Sequence, residues 1–209
     1  VVRLAEKIEA EHGPLDILVN NAGVGMSGRF MDMSLGDWEW IRSINLDGVV
    51  NGCSAFGPAM VARVRGHVVN MSSGLAYLPN ANTAAYSTTK AAVLTFSRSL
   101  RADWSGMGVG VSAVCPGVIN TPILESARFL GEFGDPRAVS LAKRGFRFGH
   151  SPEVVARAVV NAIEKNKAIV NAGIEARVGW HLARITPVAI VDLVGRPAPT
   201  SLLGLESPE

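Results

Sequence analysis

His67-Val68-Val69-Asn70-Met71, then the helical run Thr83 to Ser105, then Val109-Gly110-Val111-Ser112-Ala113-Val114 decide the fold. Both short runs are apolar with little alternation, as strands covered on two faces are. A strand, a helix and a strand in this order make a parallel pair joined by a crossover. The pattern extends both ways. Asp16 to Asn20 is a short apolar strand after the Gly13-Pro14 break, and Leu35 to about Ala62 reads as one long helix before Gly66 punctuates the chain. Downstream, Pro116-Gly117 stops the Val109 strand, Ser151-Pro152-Glu153 starts a helix to about Lys165, and Ala168 to Val170 is a fourth strand. This alternation predicts an α/β fold with a doubly wound parallel sheet. The chain opens within a helix whose apolar stripe, Val2, Leu4, Ala5 and Ile8, lies between Arg3, Glu6, Lys7 and Glu9.

At 209 residues, 48% hydrophobic and 18% charged, the chain fits one globular domain with a full core. A net charge of +2 is too small to argue for a nucleic-acid partner. No apolar run approaches the roughly 18 residues of a membrane span, and no signal-peptide pattern opens the chain. Cys53 and Cys115 lie 62 apart with no C-x-x-C, so neither a disulfide scaffold nor a zinc site is expected, and a reducing cytoplasmic compartment is. His12, His67, His150 and His181 have no metal-ligand spacing, and no metal is expected. Asn70-Met71-Ser72 is formally a glycosylation sequon but ends a buried-looking strand.

Tyr86 and Lys90 are four apart, on one face of the helical run, and Ser73 precedes the tyrosine by thirteen residues. A phenol titrating near 10 is a poor acid or base at pH 7. A neighbouring ammonium favours the phenolate, and a shift from about 10 to about 7 needs roughly 4 kcal/mol, which two close charges can supply. If Ser73 ends its strand, its hydroxyl can meet the oxygen that the tyrosine protonates. Such a set suits hydride transfer at a carbonyl or secondary alcohol.

Around these residues stand Leu18-Val19-Asn20-Asn21-Ala22-Gly23, Asn45, Asn70-Met71-Ser72-Ser73-Gly74 and Cys115-Pro116-Gly117-Val118-Ile119-Asn120-Thr121. In this order and spacing, from about Val1 to about Asn171, the chain resembles the short-chain dehydrogenase/reductase family. The resemblance implies a Rossmann-like sheet and an oxidoreductase that uses NAD or NADP. By it, Tyr86 is the general acid/base, Lys90 tunes it and holds the nicotinamide ribose, and Ser73 positions the substrate oxygen. Asn45 matches the family's fourth member, whose backbone holds a water in a proton relay. Asn21, Ala22 and Gly23 match the turn under the adenosine half of the cofactor. Ile119 matches the position whose backbone meets the nicotinamide carboxamide, and Thr121 a hydroxyl near it. Ser72 is the neighbouring candidate for Ser73, which the thirteen-residue spacing favours. A mid-helix asparagine such as Asn45 also commonly satisfies an interior backbone group, and Asn20 and Asn21 can serve a turn.

The chain departs from the family in one respect. The glycine-rich loop T-G-x-x-x-G-x-G and the coenzyme-selecting residue after it are absent. The family's N-terminal strands are therefore expected to be missing here. That leaves the strand Asp16 to Asn20 an open edge, and the natural protein is expected to be longer. Gly23-Val24-Gly25-Met26-Ser27-Gly28 spells G-x-G-x-x-G, but that fingerprint requires a helix opening at its third glycine. Here the helix is expected near Leu35, capped by Ser34 or Asp37. The glycines are expected instead to let the backbone pass close to the cofactor.

These readings divide the chain into a partial dehydrogenase/reductase domain over 1–176, with a substrate loop over about 122–150, and a tail over 177–209. The loop holds Ile123, Leu124, Phe129, Leu130, Phe133, Phe146 and Phe148 among Arg128, Arg137, Lys143, Arg144 and Arg147. Apolar residues over a cleft predict a bulky hydrophobic alcohol or ketone, a steroid-like, retinoid-like or acyl compound among small hydrophobic carbonyl or alcohol molecules; a lid that only closes over the cofactor is the other reading. The tail is apolar from Arg177 to Arg196, broken at Pro187, and is expected to pack on the domain or a partner subunit, with membrane contact the lesser expectation. The runs Leu35 to Ala62 and Thr83 to Ser105 resemble the helices that pair across the family's two-fold axis, which implies a homodimer or homotetramer. Two other functions stay open: a non-catalytic relative keeping the fold for binding or assembly, and a sugar-nucleotide epimerase. The short C-terminal part and the Asn20-Asn21-Ala22-Gly23 turn argue against the epimerase.

Overall fold

The apolar runs bury themselves against one another in a sheet that is parallel throughout. In the computed structural model, which describes residues 1–196, the chain runs α1 (Val2–His12), β1 (Ile17–Asn20), β2 (Met26–Ser27), α2 (Leu35–Arg42), α3 (Gly48–Ala62), β3 (Gly66–Met71) and α4 (Ala84–Asp103). It continues through β4 (Val109–Pro116), β5 (Arg128–Phe129), α5 (Pro136–Arg147), α6 (Pro152–Glu164), β6 (Ile169–Ala172), α7 (Ile174–Ile185) and α8 (Val188–Val194). Four strands form the main sheet in the order β1-β3-β4-β6, and β2 pairs with β5 in a separate two-stranded ribbon. Asn20 stands opposite Asn70, Met71 opposite Val114 and Pro116 opposite Ala172, so the strands end along one edge.

Strand periodicity explains why both central strands are apolar on both faces. Val68 of β3 and Val109 and Val111 of β4 pack with Val49, Cys53 and Met60 of α3 and Val93 of α4. Val69, Met71 and Val114 point the other way, against Ala162 of α6 and its neighbours. The sheet is therefore wound on both faces. Boundaries fall within a few residues of those expected, with one exception. The run Leu35 to Ala62 is not one α-helix: a π-helical turn, Ser43–Asp47, with Gly48 N bonded to Ser43 O, separates α2 from α3. Period alone does not distinguish the two, because one inserted residue leaves most of the apolar face in place.

Inside the first core, Asn20 Nδ2 donates to Asn70 Oδ1 at 2.8 Å, and Asn70 Nδ2 donates to Ser97 Oγ at 3.0 Å. This polar chain crosses from β1 through β3 to α4. Asn70 is completely buried in it, so its sequon is closed to modification in the folded chain. Asn20 thus serves the core rather than a turn. Gly52 makes room for it: a Cβ there would stand 2.2 Å from Asn20 Oδ1. The α1 stripe is a weaker element than its pattern implies, since only Ala5 is buried while Val2 and Leu4 remain exposed. The expected 177–209 tail holds most of α7 and all of α8, separated at Pro187, and its residues 197–209 lie outside the described residues.

Candidate active site

Three loops leave the carboxyl ends of β1, β3 and β4 side by side, and they carry most of the residues singled out in the sequence. Asn21, Ala22 and Gly23 follow β1, Ser73 follows β3, and Ile119 and Thr121 follow β4. In open parallel sheets ligands bind beyond this edge. Tyr86 and Lys90 come from the first two turns of α4, and Asn45 from the π-helical turn between α2 and α3.

Lys90 is buried, and its Nζ donates to the Met71 carbonyl at 3.0 Å. Burial lowers its pKa to about 8. The ammonium stands 5.8 Å from the centroid of the Tyr86 ring. Burial of Tyr86 raises its phenol above the ordinary value, and the Ser73 hydroxyl facing it acts in the opposite direction. The Ser73 hydroxyl also accepts from Leu75 N at 3.2 Å. Its neighbour Ser72 is committed elsewhere, donating to the Lys90 carbonyl at 2.8 Å and so pinning α4 to the end of β3.

Asn45 is fully buried; its Oδ1 accepts from Val24 N at 2.8 Å and its Nδ2 donates to Val24 O at 3.0 Å. Its side chain therefore clamps the loop after β1, the interior role that an asparagine in mid-helix commonly plays. Asn45 Nδ2 also donates to Thr89 Oγ1 at 3.3 Å, and Thr89 Oγ1 donates to the Tyr86 carbonyl at 2.8 Å. Thr89 had no signal in the sequence beyond standing next to Lys90. Gly23 completes the cluster: a Cβ there would lie 3.1 Å from Lys90 Nζ and 3.2 Å from Asn45 Oδ1.

Gly25 and Gly28 make room for another part of the chain. A Cβ on Gly25 would meet Ala127 Cβ at 3.1 Å, and one on Gly28 would meet Leu130 Cβ at 2.8 Å. What these glycines admit is the 127–130 segment, which pairs through β5 with β2. Helix α2 opens later, with Ser34 as N-cap: its Oγ accepts from Asp37 N at 3.1 Å, and Asp37 Oδ2 accepts from Ser34 N at 3.1 Å. Asp37 also accepts from Arg128 at 2.7 Å, and that guanidinium lies 4.1 Å over the Trp40 ring. Serine and arginine together hold the Asp37 carboxyl below its usual range, and they tie the base of the 122–150 segment to α2.

On the far side of the cleft, Ile119 is buried and bridges to His150, whose carbonyl accepts from Asn120 N at 2.8 Å. Thr121 begins the short 3-10 turn Pro122–Leu124. Glu175, absent from the sequence expectations, and His150 hold this loop. Glu175 of α7 accepts from Val118 N at 2.7 Å and pairs with His150 Nε2 at 2.8 Å. Helix α7 is seated in turn by Tyr77, which donates to the Ala176 carbonyl at 2.7 Å and stacks edge-on against Trp180. Among the described residues no group of three or more His, Cys, Asp or Glu is placed to hold a metal, and no helix is long and apolar enough to cross a membrane.

Comparison with known proteins agrees with this fold. The sequence profile of the short chain dehydrogenase family matches residues 1–129. The probable oxidoreductase EphD of Mycobacterium tuberculosis is 41% identical over 196 residues, which cover 91% of this chain and 33% of that protein. The oxidoreductase UcpA of Escherichia coli is 38% identical over 140 residues, covering 66% of this chain and 53% of that one. The chain thus spans about a third to a half of the length of these relatives. A short-chain dehydrogenase from Streptomyces avermitilis superposes with a TM-score of 0.76 at 28% identity, covering 88% of this chain and 70% of that one. A gluconate 5-dehydrogenase from Burkholderia cenocepacia, solved with NADP and tartrate, does so at 0.69 and 25% identity, covering 85% and 71%.

Proposed function

Because the chain belongs to the short-chain dehydrogenase family, we propose that it carries the catalytic part of an NAD(P)-dependent oxidoreductase interconverting a hydrophobic secondary alcohol and its ketone. The observation that carries this reading is the meeting of Ser73, Tyr86 and Lys90 beyond the carboxyl edge of the sheet, with the Gly23 turn against the lysine. The residues present fit a dinucleotide apart from its pyrophosphate. Gly23 leaves the space beside Lys90 that any Cβ would fill, and Lys90 Nζ has spent one donor of three, on the Met71 carbonyl. Asn21, Ala22 and Gly23 would hold its adenosine side, Tyr86 and Lys90 its ribose, and Ile119 and Thr121 its nicotinamide. When bound, NAD or NADP supplies or accepts the hydride.

The protein's own part is positioning and proton transfer. In the reducing direction the substrate oxygen lies between the Ser73 and Tyr86 hydroxyls. Tyr86 gives that oxygen its proton as charge develops there, Ser73 donates a hydrogen bond to it, and the Lys90 ammonium stabilises the phenolate left behind. The phenolate regains a proton from water, and oxidation runs the same path in reverse. Apolar residues of the 122–150 segment, fastened beside the cleft through β2 and β5, support a small hydrophobic substrate.

In the whole protein, Tyr86→Phe is expected to keep cofactor binding and lose turnover by at least about a hundredfold, the scale of a positioned acid/base. Lys90→Ala should lose turnover and cofactor affinity together, and Ser73→Ala turnover alone. Near-full activity of Tyr86→Phe on a panel of hydrophobic ketones would overturn the assignment.

A further inference from the structure

Helix α5 is amphipathic but leaves no side chain buried. Asp135 caps it, accepting from Arg137 N at 2.7 Å, and from Pro136 to Gly149 the chain holds Arg137, Lys143, Arg144 and Arg147 and no acidic residue. Arg137, Leu141, Arg144 and Phe148 succeed one another at helical spacing on one face, where Leu141 is 56% and Phe148 88% exposed. Apolar side chains on the outer face of this basic helix have no partner among the described residues.

Helix α7 repeats the arrangement. Ile174, Val178, Leu182 and Ile185 follow at intervals of four, four and three on one face, with exposures of 63%, 48%, 48% and 78%. Arg177 and Arg184 flank them, while the helix's acid, Glu175, is taken by His150 and Val118 N. The two helices adjoin: Phe148 and Glu175 line one hollow of about 280 Å³ together with Val118 and His150.

We propose that α5 and α7 together dock the protein on an anionic lipid surface. The pairing of charge with exposed apolar side chains selects this occupant. A phosphate backbone would accept the cations and leave the isoleucines unburied. A second copy meeting this face about a two-fold axis would bring like-charged helices together. Anionic headgroups accept the cations, while the acyl boundary beneath them accepts the apolar face. The contact stands independently of the hydride-transfer reading. It rests on that reading only for a consequence: the hollow borders the loop carrying Ile119, so an apolar substrate reaches the cleft from the lipid side.

The test is co-sedimentation of the full chain with phosphatidylcholine vesicles, with and without phosphatidylglycerol. Binding is expected only to the anionic vesicles and should be reversed by salt. The double variant Arg137→Glu/Arg144→Glu should lower partitioning at least roughly tenfold, as expected for charges beside an anionic surface. Leu182→Ser/Ile185→Ser should also lower it, with circular dichroism unchanged in both. Equal binding to both compositions, no binding, or wild-type partitioning of the variants would overturn the proposal. Loss of a dimer in these variants without any lipid binding would assign the face to a second copy. Because no activity is read, the outcome is independent of the Tyr86 assignment.

Discussion

An ammonium group buried with one carbonyl for company is costly, and Lys90 is such a group, 4% exposed with Nζ 3.0 Å from Met71 O. Burial brings its pKa from 10.5 to about 8, so it keeps its proton at pH 7 and surrenders it just above. Between about 8 and 10.5 the unfolded chain holds a proton that the folded chain has released, so this site alone adds stability as pH rises. The buried thiols of Cys53 and Cys115, pushed up from 9.0 to about 11, act with opposite sign above 9. Carbon-13 titration of the lysine Cε in the free chain should find one lysine with a midpoint near 8, absent in Lys90→Met; a midpoint near 10 for every lysine would refute it. The positions of Tyr86 and Lys90 were legible because helical period fixes which side chains share a face. What tunes them was less so. The sequence reading had Lys90 lowering the tyrosine, whereas in the free chain burial dominates and raises it. The clamps made by Ser72, Thr89 and Glu175 depend on which elements meet in space, and no local pattern encodes that.

Elements were readable where one period ran uninterrupted, as in β3, α4 and β4, and misread where an inserted residue broke the period. The π-helical turn at Ser43–Asp47 is such a break, and it delivers Asn45 to the Val24 backbone. The G-x-G-x-x-G run, expected not to be a phosphate fingerprint, admits β5 and its flanks at its second and third glycines. Outward positions on α3 and α4 carry a further expectation. Asn51, Ser54 and Pro58 on α3, with Thr88 and Thr95 on α4, are exposed and small. Small outward side chains let two helix pairs approach closely. In the whole protein these faces are expected to form a dimer or tetramer, seen by light scattering at tens of micromolar, which Ser54→Arg converts toward monomer. A wild-type monomer at that concentration would count against it.

At the scale of the molecule, parallel order and two-sided winding followed from the apolar strands, and the open edge expected at β1 is present among the described residues, with Ile17 and Val19 exposed. The same arrangement bounds what these 209 residues can bind. Affinity for a dinucleotide draws heavily on its pyrophosphate, which needs a strand, a glycine turn and a helix N-terminus in immediate succession. Here the G-x-G-x-x-G run contains β2 and leads into a short 3-10 turn, and α2 opens only at Leu35, with Asp37 N already met by the Ser34–Asp37 capping box. The residues proposed for the nicotinamide side are Lys90, Tyr86 and the loop of Ile119. A site with the proposed ribose and carboxamide contacts but no glycine-rich anion cradle among the described residues should hold the cofactor weakly. Calorimetry on the purified 209-residue chain is therefore expected to find no binding of NAD(H) or NADP(H) at micromolar concentration. Micromolar affinity would mean that the phosphates are held by groups other than a glycine-rich helix start, with the basic side chains of α5 the first to replace.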